Sequence, residues 1–153
     1  MKILEFLNKK AIEINLKATD KEGVVRELVN ILAQVETIKN KEELVKILLA
    51  RETLGSTGIG QGIGIPHGKS SSVKNLVAAM GISQNGVDFD SLDGEPVYIF
   101  FLLIAPEDSA GPHLKALARV SRILKDKYVR ERLRKAKDEK EIIRIIQEED
   151  SKK

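Results

Sequence analysis

The 153-residue chain has no cysteine and no tryptophan, and only two histidines, two tyrosines, four phenylalanines and four prolines. Without cysteine there is no disulfide, no thiolate nucleophile and no thiolate metal site. Two histidines are too few for a self-contained histidine-rich zinc site, so no metal is expected. Long apolar runs are missing as well. The longest, Val97 to Ala105, falls well short of the ~20 residues a membrane span needs. Met1-Lys-Ile-Leu-Glu-Phe-Leu7 carries no signal-peptide pattern, and a cytoplasmic location is the expectation. Charge of one sign is also lacking. The 26 basic and 23 acidic residues leave a net +3 and are intermixed, which argues against a dedicated nucleic-acid surface. No repeat or linker divides the chain, and its length suits one full hydrophobic core. One domain over residues 1–150 is expected, with 151–153 as a frayed tail and the fraying expected to begin at Asp150.

Glycine, by contrast, is concentrated. Five of the eleven glycines stand at positions 55, 58, 60, 62 and 64, inside Arg51-Glu-Thr-Leu-Gly-Ser-Thr-Gly-Ile-Gly-Gln-Gly-Ile-Gly-Ile-Pro-His67-Gly-Lys69. Such a backbone can take positive φ and approach a ligand closely. Pro66 fixes its own φ and pushes Ile65 towards extended conformation, so His67 is presented on a stiff backbone. A neutral imidazole titrating near 6.5 is a good nucleophile at neutral pH. His67 is therefore a candidate phosphoryl acceptor, or else a structural histidine at a strand end. Gly111-Pro-His113 places the second histidine in the first turn of a helix, where a neutral ring is favoured and an anion is welcome. The alternative is a histidine that only caps or packs. Arg51 can clamp phosphate oxygens bidentately, or simply sit in solvent at a helix C-terminus.

The glycine pattern matches neither a Walker A loop, since no Gly-Lys-Ser/Thr follows at the right spacing (Gly68-Lys69-Ser70 has Ile63, not glycine, five residues before it), nor the dinucleotide fingerprint, since Gly58, Gly60 and Gly62 alternate too regularly. Ser70-Ser-Ser72 reads as loop with no serine-centred triad. Asp88, Asp90 and Asp93 lack calcium-loop spacing and read as turn residues. The basic cluster Arg130 to Lys137 reads as a solvated helix face.

Patterning predicts the elements. Residues 2–8 suggest a short turn or helix, and Ile12 to Leu16 alternates as a strand. A helix capped by Thr19 or Asp20 carries Val24, Val25, Leu28, Ile31, Leu32 and Val35 on one face. A second starts at Asn40, buries Leu44, Ile47 and Leu48, and ends at Leu54-Gly55; the two are expected to be antiparallel. Ile63 to His67 is extended, and 68–75 is loop. Leu76 to Ser83 is a strand closed by an Asn85-Gly86 turn, with Val87-Asp-Phe89 continuing a hairpin. A second turn is expected at Asp93-Gly94. Val97 to Ala105 is a strand covered on both faces. Pro112 opens a helix whose expected stripe is Leu114, Leu117, Ala118, Ser121 and Leu124. Two further helices carry Tyr128, Val129 and Leu133, then Ile142, Ile143, Ile145 and Ile146. Strands interleaved with helices imply an α/β sandwich with helices on both faces of the sheet.

Three segments together resemble the mannitol/fructose-type IIA domain of the bacterial phosphoenolpyruvate–sugar phosphotransferase system, a family that includes the nitrogen-regulatory IIA proteins. Arg51 to Lys69 is similar to its phosphorylation-site signature. Asp93-Gly-Glu-Pro-Val97 with Phe100 to Pro106 is similar to its central strand, and His113-Leu-Lys-Ala-Leu-Ala-Arg119 to its second histidine and following helix. The resemblance implies a mixed five-stranded sheet with helices on both sides. It implies a phosphotransferase in which His67 accepts a phosphoryl group from the histidine phosphocarrier protein, flanked by Arg51 and His113. In sugar-transporting members the group passes to a cysteine of a IIB domain, and any link to the membrane is indirect, through the transporter. In nitrogen-regulatory members the phosphorylation state governs binding to a target protein. A phosphohistidine donor brings no nucleotide, so no cofactor or magnesium is implied. Stabilisation of the equatorial oxygens is what such a site must supply; Arg51 and backbone N–H groups at Ser56, Thr57, Gly58, Ile59 and Gly60 are the expected sources. Gly64 stands where the family more often shows alanine, a change expected to be sterically tolerated. A histidine-dependent hydrolase using His67 and His113 as base and acid is a third, separate reading.

Overall fold

The computed structural model describes residues 1–152. A single 3₁₀ turn, Ile3–Glu5, leads into β1 (Leu7–Glu13), α1 (Lys21–Ala33) and α2 (Lys41–Thr53). Three short segments follow, β2 (Gly58–Gly60), β3 (Ile63–Gly64) and β4 (His67–Lys69), then the long strands β5 (Val77–Val87) and β6 (Val97–Ala105). Helices α3 (Gly111–Leu124), α4 (Lys127–Lys135) and α5 (Glu139–Asp150) complete the chain.

The sheet runs β1-β5-β6-β3-β2, with β4 also paired to β6. β5 and β6 are antiparallel, whereas β1 on β5, and β3 and β4 on β6, are parallel. β3 and β4 keep one register: Ile63 lies opposite Ile99 and His67 opposite Leu103. They form one row, interrupted at Pro66 because proline has no N–H to give the ladder. The Pro66 carbonyl still accepts from Leu103 N–H at 3.0 Å. Six segments therefore make the expected mixed sheet of five rows.

β6 explains the two-layer cover. Its alternate residues point to opposite faces: Phe100, Leu102 and Ile104 pack with Val24, Leu28 and Leu44 of α1 and α2. Ile99, Phe101 and Leu103 pack with Val120, Leu133 and Ile142 of α3, α4 and α5. Each such fully buried side chain contributes roughly 1.5–3 kcal/mol. Asp20 caps α1 through Gly23 N–H (2.7 Å), and Asn40 caps α2 through Glu43 N–H (3.0 Å). Gly55 follows the end of α2 with φ +146°.

Several sequence expectations are displaced; Gly68 and Lys69, expected in a loop, belong to β4 because they pair with Ile104 and Ala105 of β6. The first strand is Leu7–Glu13, not Ile12–Leu16. It is a sheet edge, so exposed Lys9 and Lys10 are tolerated there; beyond Glu13 the chain still reaches β5 through Leu16 N–H to the Ile82 carbonyl (2.9 Å) and through the Ile14 carbonyl, which accepts from Gln84 Nε2 (2.7 Å). No turn forms at Asn85-Gly86. β5 passes through it with an irregularity between Ile82 and Val87, and Gly86 takes φ +84° beneath the Tyr98 ring. The buried stripe of α3 is His113, Ala116, Val120, Ile123 and Leu124, while Leu114 is 65% exposed. This rotation buries Val120 and Ile123 and turns His113, at the third position, towards the sheet. Lastly, Asp150 is not frayed. Its buried carboxylate accepts from Ile3 N–H (2.8 Å) and Leu4 N–H (3.1 Å) and lies 3.4 Å from Arg119 Nη2. Residues 151 and 152 are exposed, and position 153 of the expected tail lies outside the described residues.

Candidate functional site

His67 opens β4 directly after the Pro66 interruption. Facing Leu103 across a parallel pair, it projects to the α3 side of the sheet, as Ile63 and Ile65 do. Its Nδ1 lies 2.6 Å from the Ile65 carbonyl oxygen. A carbonyl can only accept, so Nδ1 carries the proton and Nε2 keeps the lone pair. Burial lowers the His67 pKa below the ordinary imidazole value, and the Arg51 charge acts in the same direction; the Ile65 carbonyl and Glu52 oppose them in part.

His113 approaches from the first turn of α3, with 5.7 Å between the two ring centroids and 59° between their planes. Its side chain is buried and its Nδ1 has no hydrogen-bond partner. Burial, then the charges of His67 and Lys69, lower its pKa as well. Two neutral rings thus face each other, and either one, once protonated, disfavours protonation of the other.

Arg51 lies in the last turn of α2 and donates from Nη1 to the Gly55 carbonyl at 2.8 Å. Among the described residues it forms no salt bridge, so no carboxylate neutralises its guanidinium. The fold thereby brings together three residues 62 positions apart at the extremes, Arg51, His67 and His113.

The segment from Ser56 to Gly60 is differently occupied. Thr57 N–H donates to Glu52 Oε1 (3.1 Å), and Gly58 N–H to Ser56 Oγ (2.9 Å). Those two donors, expected to face a phosphoryl group, are engaged inside the protein. Gly58 is small because Ser91 packs against it: a Cβ would lie 3.0 Å from the Ser91 backbone. Gly60 faces the Asp93 carboxylate, whose Oδ2 also accepts from Gln61 N–H (3.0 Å). The carboxylate repels an anion there. Ser56 Oγ is engaged with the Phe89 carbonyl, and Ile59 remains partly exposed at 37%. These residues build a tight hairpin that supports the histidine row. Gly64 fits without strain where a Cβ would meet Phe100 and Val97 at 3.2 Å.

Sequence reading passed over Glu52. It is buried, and its carboxylate holds both Thr57 N–H and the Thr57 hydroxyl. Lys21 Nζ lies 3.4 Å from Glu52 and 3.1 Å from Asp90, over the Phe89 ring. The signal was present: Leu44, Val45, Leu48 and Glu52 share the buried face of α2, at spacings that a hydrophobicity count ends at Leu48.

Known proteins share this architecture. The family model for Phosphoenolpyruvate-dependent sugar phosphotransferase system, EIIA 2 matches residues 5–149. A fructose-specific EIIABC component of Bacillus subtilis is 41% identical over 98% of this chain, which spans only 24% of that relative's length. A nitrogen regulatory protein of Bradyrhizobium diazoefficiens is 36% identical over 95% of both chains. Among solved structures, the nitrogen regulatory protein IIA-Ntr of Neisseria meningitidis superposes with a TM-score of 0.87 at 33% identity, covering 94% of this chain and 98% of that one. The fold recurs, at 21% identity and a TM-score of 0.78, in the Escherichia coli complex of enzyme IIAMTL with phosphorylated enzyme IIBMTL, covering 92% of this chain and 96% of that one. With a family match across almost its whole length, the chain belongs to the EIIA 2 family of the phosphoenolpyruvate-dependent sugar phosphotransferase system.

Proposed function

We propose that this chain is a sugar-specific IIA component: Nε2 of His67 takes a phosphoryl group from a phosphohistidine of the phosphocarrier protein and passes it to a cysteine of a IIB domain. The observation that carries the reading is the 2.6 Å contact between His67 Nδ1 and the Ile65 carbonyl. It leaves the lone pair on Nε2, in a ring that burial keeps neutral. In transfer, that lone pair forms the new N–P bond as the donor's N–P bond breaks, and the electron pair of the broken bond stays on the donor ring. Catalysis of such a step is mostly positioning and charge stabilisation. The unpaired Arg51 guanidinium and a proton on His113 Nε2 are the groups suited to the equatorial oxygens. The fold shared with a IIA–IIB mannitol complex supports a IIB acceptor.

The test is incubation with phosphoenolpyruvate, the first phosphotransferase and the phosphocarrier protein. Acid-labile phosphate should appear on His67 and move to a IIB cysteine. A His67→Ala protein that took up the same phosphate would sink the assignment. A regulatory role is favoured by one observation, the end-to-end match to the Bradyrhizobium nitrogen regulatory protein. Absence of transfer to any IIB domain, with phosphate-dependent capture of a defined target protein, decides for that role.

A further inference from the structure

Glu52 is the one acidic side chain of α2 that the fold buries. A buried carboxylate is costly unless it is paired and hydrogen-bonded. This one is compensated on both counts, by Lys21 at 3.4 Å and by two donors of a single residue, Thr57. Thr57 is the root of the β2–β3 hairpin. Its carbonyl accepts from Ile65 N–H at 3.0 Å, and the Ile65 carbonyl in turn accepts from His67 Nδ1 at 2.6 Å. A ladder of contacts therefore runs from the end of α2, through Thr57 and Ile65, to the imidazole. Ile65 is also held by its buried side chain and by its neighbours, Gly64 opposite Phe100 and the Pro66 carbonyl accepting from Leu103 N–H at 3.0 Å. On the side away from β6, its backbone N–H is tied to Thr57.

We propose that Glu52 is the positioning residue of the transfer site: by tying Thr57 to α2 it fixes the Ile65 carbonyl, and so sets the tautomer and aim of His67. The inference rests on the reading of His67 as phosphoryl acceptor. It adds a residue that never touches phosphate. It also assigns a purpose to Lys21, which neutralises Glu52 while remaining paired to Asp90 (3.1 Å). The tie acts through hydrogen bonds and not through net charge. A glutamine at this position can accept from Thr57 N–H and donate to the Thr57 hydroxyl, leaving Lys21 to Asp90. An aspartate keeps the charge but is one methylene too short to reach Thr57.

The experiment compares wild type with Glu52→Ala, Glu52→Gln and Glu52→Asp, each checked for folding by circular dichroism and amide NMR spectra. Long-range ¹⁵N–¹H NMR on the unphosphorylated proteins reads the His67 tautomer. Rapid-quench transfer from the phosphorylated carrier protein reads rate and KM separately. Wild type and Glu52→Gln should show one tautomer, protonated at Nδ1, and equal rates. Glu52→Ala and Glu52→Asp should show a tautomer mixture and a saturated rate lower by on the order of 10²-fold, the usual consequence of ~1 Å misplacement, with KM for the carrier unchanged. A folded Glu52→Ala or Glu52→Asp protein with the wild-type tautomer and rate overturns the proposal. So does a Glu52→Gln protein as impaired as Glu52→Ala, because charge would then be the active feature. Should Glu52→Ala fail to fold, the aspartate and glutamine pair carries the comparison. The tautomer measurement needs no phosphoryl donor, so it decides the role of Glu52 even where wild type proves unable to take phosphate on His67, a result that removes only the proposed function.

Discussion

At the scale of single residues, the proposed chemistry rests on two histidines whose surroundings favour the neutral ring. Both pKa values are lowered, chiefly by burial. Acceptance of a phosphoryl group needs the Nε2 lone pair, so the transfer rate should fall as pH drops through the lowered His67 pKa and stay level above about 6.5. Stability should follow the same sign. The unfolded chain takes up protons on its histidines at about 6.5, before the folded chain does, so protonation favours unfolding. The stabilisation is fully present above the unfolded value and is lost as pH falls through the folded values. Urea midpoints measured from about pH 5 to about pH 8 should fall on the acid side, and a His67→Gln/His113→Gln double variant should fall less. The other two site residues have separable effects. His113→Ala and Arg51→Ala should each slow transfer by about 10²-fold with the fold intact, the usual loss for one oxyanion donor. Arg51→Lys should not restore the rate, since lysine lacks the planar fork; single-turnover transfer kinetics on the three variants check this.

At the scale of elements, the informative case is α3. Its sequence offers two adjacent apolar stripes, one through Leu114, Leu117 and Ser121, the other through Ala116, Val120 and Ile123. The leucines make the first conspicuous, but the second is the more apolar, since Val120 and Ile123 stand where the first has Ser121. The fold buries the second, and the same rotation carries His113 towards His67. Burial of the more apolar stripe and the placing of His113 thus agree. The Asn85-Gly86 pair teaches a related lesson. Locally it is a turn signal, but pairing along β6 and the ring of Tyr98 over Gly86 carry the strand through it. At the other end of the chain, Asp150 joins α5 to the first turn. Asp150→Ala leaves the buried Ile3 N–H without its acceptor, and should cost about 1–3 kcal/mol of stability, measured by urea unfolding, with phosphoryl transfer at the distant His67 unchanged.

At the scale of the molecule, the proposed transfer from a protein donor to a protein acceptor needs a surface that another protein can cover. Leu54, Leu92 and Leu114 are 84%, 78% and 65% exposed. Leu54 precedes Gly55, which Arg51 grips; Leu114 follows His113; and Leu92 N–H donates to the Gly58 carbonyl at 3.0 Å. Such exposed leucines, Leu114 directly after His113 among them, suit the rim of a transient interface. Leu114→Asp should raise the KM for the phosphocarrier protein about tenfold, equivalent to about 1.4 kcal/mol, while leaving circular dichroism and the spontaneous hydrolysis of phosphorylated His67 unchanged. An unaltered KM would place the donor elsewhere.

The sequence by itself determined the α/β class, the doubly covered strand Val97 to Ala105 and the cap Asn40; it narrowed the first cap to Thr19 or Asp20 and singled out Arg51, His67 and His113 as the candidates now proposed for transfer. These follow from local signals: an unbroken apolar run, a capping side chain three residues before its partner, and residue types whose chemistry suits phosphate. Tertiary structure decided what local patterning cannot reach. Only the folded chain shows that Thr57 and Gly58 N–H groups are already engaged, because their partners are defined by the hairpin's return and by α2. Only it shows Glu52 buried, Leu114 in solvent and Asp150 closing the first turn. Burial and hydrogen-bond pairing are properties of which surfaces meet, and they are set when α2, the glycine hairpin and α3 converge around His67.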